Sequence, residues 1–290
     1  MHFVEAKSIL SPQNGMNVYR GCTHGCIYCD SRSRVYGMKH AFEDIEVKKN
    51  APELLEKALR SKRNKCMIGT GAMSDPYMPC EKELELTRRC LEIIHRHGFG
   101  AAVQTKSDLI LRDLELLKAI NDSAKSVAQI TLTTADDGLC SIVEPGVCPT
   151  SRRVQALRAF RDSGIPTVVW LSPFLPFIND TEENLRALLD ICAEVQVKGI
   201  VCFGIGLTLR EGDREYYYQA LDRHFPGLKR KYCEKYGNAY ELPSDNNDRL
   251  MAILTDFCRE KGILYRMDDV FAYLHEFPQP REYEQLSMFD

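Results

Sequence analysis

Three cysteines, Cys22, Cys26 and Cys29, stand at a C-x3-C-x2-C spacing, with the aromatic Tyr28 immediately before the last. Thiolates this close in sequence can turn toward one centre, and such soft ligands select iron–sulfur clusters or zinc. A [4Fe–4S] cluster usually takes four cysteines, so a site offering three leaves one iron open to bind something else. Zinc in a structural site wants four ligands. His24 is the only close candidate for a fourth, and no C-x2-C or H-x3-H partner lies nearby. The spacing points to one redox cluster with an open iron.

The remaining composition agrees with that reading. The chain has 290 residues, 12 cysteines and a formal net charge of −3. Apart from the triad, Cys66, Cys80, Cys90, Cys140, Cys148, Cys192, Cys202, Cys233 and Cys258 form no second closely spaced triplet. Most sit in apolar stretches, where cysteine behaves as a small buried hydrophobe. No apolar run approaches the roughly 20 residues needed to span a bilayer, and the first residues lack the apolar core and cleavage site of a signal peptide. A cytoplasmic chain with reduced thiols is expected. The charge gives no global pull toward nucleic acid, so any such contact must come from a local patch.

Apolar runs bounded by turn residues alternate with amphipathic stretches from about residue 15 to about residue 210, the pattern of βα units around a parallel sheet. Strands are predicted at 16–20, 66–69, 100–105, 127–133, 167–171 and 199–205, with helices at 51–61, 84–97, 109–121, 151–163 and 181–196. In such a fold the strands' carboxyl ends share one face, where the loops that do chemistry collect. The triad follows the first strand, Ser74 and Asp75 the second, Lys106 and Ser107 the third, Thr133 and Thr134 the fourth, and a segment bracketed by Pro173 and Pro176 the fifth. Beyond residue 210 the chain turns to charged helical stretches at 213–224, 228–236 and 247–261. The organisation expected is an α/β domain over 1–210, a helical extension over 211–275 and a flexible tail over 276–290.

The triad after a short strand resembles the radical SAM superfamily. That resemblance implies a partial (β/α)6 TIM-like barrel with a C-terminal helical extension, whose open iron chelates S-adenosylmethionine and cleaves it reductively to a 5′-deoxyadenosyl radical. It implies Cys22, Cys26 and Cys29 as cluster ligands, Tyr28 packed on the adenine, and an electron donor such as flavodoxin or ferredoxin. The segments Gly69-Thr-Gly-Ala-Met-Ser-Asp-Pro-Tyr-Met-Pro-Cys-Glu81, Thr105-Lys-Ser107, Glu144-Pro-Gly-Val147 and Pro176-Phe-Ile-Asn-Asp180 resemble the spore photoproduct lyase-like branch over about residues 10–210. By that resemblance Ser74 and Asp75 approach the methionyl amine, while Lys106 and Ser107 contact the carboxylate and ribose. Thr133 or Thr134 is the candidate to offer a hydroxyl to the ribose, the alternative being a simple β-forming pair at a strand end. The branch's lyase uses a cysteine close before the Ser-Asp pair as hydrogen donor; here Ala72 and Met73 stand in that neighbourhood, and Cys66 and Cys80 are the thiols near it in sequence.

The tail, Gln285-Leu286-Ser-Met288-Phe289-Asp, resembles the pentapeptide by which bacterial replication and repair proteins dock on the DNA sliding clamp, with Met288 in place of the usual leucine. Methionine fills an apolar pocket adaptably. Two basic groups, Arg32, Arg34, Lys39 and His40, and Arg60, Lys62, Arg63 and Lys65, are candidates to track a phosphate backbone. Tyr216, Tyr217 and Tyr218, near Arg214, offer a stacking platform to which one or two can contribute. The function expected is radical SAM chemistry of a lyase or DNA-repair type on DNA or a nucleobase lesion. The alternatives are a radical SAM enzyme modifying a peptide or small metabolite, and a DNA-associated binding protein with a structural or redox-sensing cluster.

Overall fold

Six short strands rich in small and β-branched residues form one sheet. They are β1 (Gly15–Met16), β2 (Met67–Thr70), β3 (Gly100–Thr105), β4 (Ser126–Thr131), β5 (Thr167–Trp170) and β6 (Gly199–Val201). In this computed structural model, which describes residues 1–278, they lie side by side in chain order with every pairing parallel. Parallel neighbours need crossovers, and helices Ala51–Ser61, Leu86–Arg96, Leu114–Ser123, Thr150–Asp162 and Glu182–Glu194 supply them. This is the open (β/α)6 barrel expected from the sequence.

Alternation along the strands separates two faces. Ala101, Val103, Ala128, Ile130, Val169 and Ile200 pack outward in the large core under the helices. Met67, Ala102, Val127, Val168 and Val201 form an inner apolar cluster with Val270 and Leu274 of the helix Met267–His275. That helix plugs the end where the strands begin, because Leu264 just before it bonds to Lys198 and Ile200 at the start of β6. The other end carries the loops.

The predicted strand 16–20 divides. Gly15–Met16 joins the barrel, whereas Tyr19–Arg20 turns away to pair antiparallel with Glu46–Lys48, which also pairs with His2–Val4. Lys48 drives the division: its backbone N–H donates to Val18 O and its Nζ to Asn17 O at 2.8 Å. The fourth strand stops at Thr131, short of the predicted 133, because the carbonyls of Thr133 and Thr134 accept from the side chains of Asn179, Asn184 and Thr150. A helix at Asp137–Val143, absent from the sequence expectation, is capped by Asp136, whose Oδ1 accepts from Gly138 and Leu139. The predicted helix 109–121 begins instead as a tight 3₁₀ segment, Asp108–Asp113, capped by Ser107.

After residue 210 come helices Asp213–His224, Leu228–Tyr236, Asn247–Lys261 and Met267–His275, and a strand Glu241–Pro243 paired antiparallel with Gly206–Thr208. Among the described residues no helix is long and apolar enough to cross a membrane. The tail motif, Gln285, Leu286, Met288 and Phe289, lies outside the described residues.

Candidate active site

The cysteine loop leaves Tyr19–Arg20 through Gly21, whose φ of +87° and 2.4 Å approach of an added Cβ to Phe42 O leave room only for glycine. The loop is then clamped from the other side. Ile27 N–H donates to Val143 O at 3.0 Å and Gly146 N–H to His24 O at 2.8 Å. A Cβ on Gly146 would stand 2.7 Å from that same oxygen, so the Glu144-Pro-Gly segment acts as a lid-free buttress on the cysteine loop. Cys22, Cys26 and Cys29 are all free thiols. They line one cavity of about 100 Å³ with Ser74, Asp75, Lys106 and Gln104.

Burial, aided by the neighbouring Asp75 charge, pushes the Cys22 thiol up to about 12. Burial raises Cys26 as well, and the Lys106 ammonium works against that rise. A metal centre replaces the protons of such thiols. Three free thiols and a lysine on one cavity fit a cluster held by three cysteines with a fourth iron left open.

Asp75 organises the floor. Its Oδ1 accepts from Tyr77 N–H at 2.8 Å and Thr105 Oγ1 at 2.6 Å, and its Oδ2 from Lys106 N–H at 2.8 Å. His24 Nε2 lies at ion-pair distance, 3.2 Å, from Oδ2, while Nδ1 is 3.0 Å from Gly146 O. Burial alone would raise Asp75, but His24 and these donors outweigh it and hold the carboxyl near 2, at about 2. Burial likewise disfavours charged His24, and Asp75 reverses that, so the imidazole is shifted upward. Ser74 Oγ donates to Tyr19 O at 2.7 Å. Ser107 accepts from Leu109 N–H at 3.2 Å as the cap of the next turn. The Lys106 Nζ stands 5.9 Å from the centroid of the Tyr28 ring.

A second group was not singled out from sequence. Glu144, buried to 1 % exposure, accepts from Tyr28 OH, from Thr133 Oγ1 at 3.3 Å and from Arg153 Nη2. Arg153 is completely buried and also donates to Thr131 O at 2.7 Å and Cys148 O at 3.1 Å. Burial opposes ionisation of Glu144, yet Arg153 and then Lys106 pull its carboxyl below the usual range. Tyr28 and Thr133, expected at the adenine and ribose, are thus tied by their hydroxyls to Glu144. The only sequence signal was the Glu-Pro-Gly segment; Arg153 reads there as a helix-surface charge beside Arg152.

Cys66 opens the far end of β2, where its carbonyl accepts from Gly100, and Cys80 sits beside Glu81. Neither lines the cavity. The thiols brought near are Cys148, whose Sγ lies 3.3 Å from Lys106 O, and Cys140, 3.5 Å from Glu144 Oε2. Arg32 is wedged between Tyr216, 3.7 Å from its ring centroid, and Phe42, and pairs with Glu43; Arg34 pairs with Glu211. Tyr217 is buried against Tyr232. Arg60, Lys62, Arg63 and Lys65 precede β2, at the end of the barrel opposite the site.

A parallel barrel thus gathers three unpaired thiols and a lysine at its strand ends, a donor set suited to a metal cluster beside a carboxylate-bearing ligand. The chain belongs to the radical SAM superfamily, whose family model matches residues 16–192. An uncharacterised protein of Mycobacterium tuberculosis (strain H37Rv) is 29% identical over 248 residues, 81% of this chain and 70% of that one. A radical SAM Nα-GlyT isomerase of Pseudomonas phage M6 is 25% identical over 174 residues, 60% of this chain and 35% of the isomerase. Among solved structures, spore photoproduct lyase complexed with dinucleoside spore photoproduct superimposes with a TM-score of 0.66 at 13% identity, covering 91% of this chain and 80% of the lyase. Membership of the family implies a [4Fe–4S] cluster and S-adenosylmethionine.

Proposed function

We propose that Cys22, Cys26 and Cys29 hold one [4Fe–4S] cluster, that S-adenosylmethionine lies across the strand ends beside it, and that the enzyme acts on DNA or a nucleobase lesion. The observation that carries this is the single cavity shared by three free thiols, Ser74, Asp75, Lys106 and Gln104. When bound, cluster and S-adenosylmethionine together supply a 5′-deoxyadenosyl radical for hydrogen abstraction.

The chain's own residues then have distinct tasks. Lys106 presents a compact positive charge to the cofactor carboxylate. Asp75, with both oxygens engaged, fixes the Lys106 backbone and so aims that charge. Ser74, its proton already given to Tyr19 O, keeps oxygen lone pairs to accept from the methionyl amine. Ser107 shapes the turn beside the ribose. Tyr28 and Thr133, anchored on Glu144, hold the wall against the adenine. Enclosure by these groups keeps water from the reacting atoms.

The DNA substrate class is supported by the dinucleoside spore photoproduct with which the fold neighbour is complexed, and by the clamp-like tail. In the cytoplasm a flavodoxin or ferredoxin would deliver the electron. Anaerobic reconstitution followed by reductant and S-adenosylmethionine tests the substrate class. Formation of 5′-deoxyadenosine stimulated by ultraviolet-irradiated DNA, and not by intact DNA, is the expected result; formation indifferent to DNA sends the search to peptides and metabolites. Removing residues 285–290 is expected to abolish binding to the sliding clamp while leaving S-adenosylmethionine cleavage intact; unchanged clamp binding discards the docking motif.

A further inference from the structure

Inside the barrel, next to the cluster cavity, lies a second cavity of about 220 Å³. The two share Ala72 and Gln104 in their walls. The second is carved by missing side chains: Gly69 lines it, and a Cβ built there meets nothing within 4 Å. Met67, Ala102, Phe271 and Leu274 make the floor apolar, and Gln104 and Gln129 form one polar layer among the other polar residues of the wall.

That layer is set by register. Gln104 of β3 and Gln129 of β4 are direct cross-strand partners; on β5 the register partner of Gln129 is Val168, and Trp170 follows opposite Thr131. Successive strands of a buried parallel sheet normally present apolar residues inward, as Ala102 and Val127 do one step earlier on β3 and β4. Here two primary amides stand side by side instead. Trp170 Nε1 donates to Gln129 Oε1 at 2.9 Å, which fixes that amide and turns its NH₂ away from the ring. Among the described residues nothing accepts from that NH₂, and nothing pairs with either end of the Gln104 amide. Neither amide is among the occluded, unpartnered atoms, so these groups face the cavity. An interior amide left without a protein partner is costly unless a ligand or water completes it.

We propose that this cavity is a binding site for a single nucleobase, whose hydrogen-bonding edge is read by the Gln104 and Gln129 amides and whose plane rests against Trp170. The proposal rests on the DNA reading above and names the residues that would select the substrate. The size fits: whole ligands take about 300–1,000 Å³, so this volume suits one flat group with the rest of the substrate outside. The chemistry fits as well. Side-chain amides pair two hydrogen bonds at a time with the alternating donors and acceptors of a base edge, and enzymes acting on a base draw it into a snug pocket between apolar and aromatic walls. A base seated there would share the wall formed by Ala72 and Gln104 with the cofactor cavity.

Trp170 is the sole tryptophan of the chain, so its fluorescence reports occupancy directly. The cluster-reconstituted full-length protein is titrated with thymidylyl-thymidine, with the same dinucleotide after ultraviolet irradiation, and with the cyclic diglycine diketopiperazine as an amide-edged probe that is not a base. At least one dinucleotide is expected to change Trp170 fluorescence saturably, with affinity weakened about tenfold in Gln104→Leu and in Gln129→Leu. Gly69→Val, whose Cβ meets nothing within 4 Å, is expected to fill the space and abolish the response. Cluster absorbance and melting temperature, read for each variant, separate lost binding from a lost fold. No saturable response to either dinucleotide, equal affinities in wild type and both leucine variants, or binding of the diketopiperazine alone would overturn the proposal. Dinucleotide binding through the glutamines, together with 5′-deoxyadenosine formation indifferent to DNA, would uphold the pocket and remove the DNA-lesion reading.

Discussion

Around Glu144, both carboxylate oxygens and all three nitrogens of Arg153 have partners within the protein. On the inner wall of the same barrel, the Gln104 amide and the NH₂ of Gln129 line a cavity and have no protein partner among the described residues. The first region is over-determined: a buried, fully satisfied network is rigid, and it holds the loop that carries the cysteines. The second leaves polar groups waiting. On the proposed reading, one barrel serves two ligands, with internal bonds fixing the cofactor side and left unmade on the side that would admit a substrate.

The contrast can be broken most severely at the cysteines. Cys26→Ala is expected to leave less than stoichiometric iron after reconstitution and no detectable 5′-deoxyadenosine, because two thiolates do not hold a four-iron cluster; retained cleavage would refute the ligand assignment. Next comes the network itself. Glu144→Gln leaves Arg153 charged and buried without its counterion, a loss of about 3–5 kcal/mol by urea unfolding. The double variant Glu144→Gln/Arg153→Leu is expected to recover part of that loss. Equal losses in the single and double variants would show that the pair is not coupled.

Asp213 stands between the two extremes. Its Oδ1 accepts from Arg210 N–H at 2.7 Å, while its Oδ2 is buried without a partner. Burial raises its carboxyl to about 6, against about 3.9 in an unfolded chain. A raised folded-state pKa means that its contribution to stability is fully present below about pH 4 and is lost as pH rises through about 6, by up to about 3 kcal/mol. Asp213→Asn is expected to remove that loss, flattening urea stability between about pH 4 and pH 7; an unchanged slope would assign the pH dependence elsewhere. The smallest effect belongs to the waiting amides. Gln104→Leu is expected to shift unfolding free energy by less than about 1 kcal/mol, since no internal bond is lost; a loss as large as that of Glu144→Gln would show that Gln104 is structural.

Much of the thiol-lined cavity was legible in sequence, and little of the glutamine-lined one. Cluster ligation needs thiols at short spacing, so Cys22, Cys26 and Cys29 announce themselves locally. Asp75 and Lys106 were found through the family resemblance of the segments that carry them, and βα periodicity puts both after strands on one face. Arg153 escaped notice because its partner lies on another segment and its neighbour Arg152 makes the pair look like a solvated helix face. Gln104 and Gln129 escaped because their meeting depends on the register of β3 against β4, which neither strand encodes alone. The divided first strand likewise depends on Lys48, far along the chain.

The most direct test of the open-iron assignment is electron paramagnetic resonance of the reconstituted, reduced protein with and without S-adenosylmethionine. An open iron beside Lys106 predicts a [4Fe–4S]⁺ signal whose g-values move when the cofactor is added, with a weakened response in Lys106→Ala. A cluster signal indifferent to S-adenosylmethionine would contradict it and mark the cluster as structural.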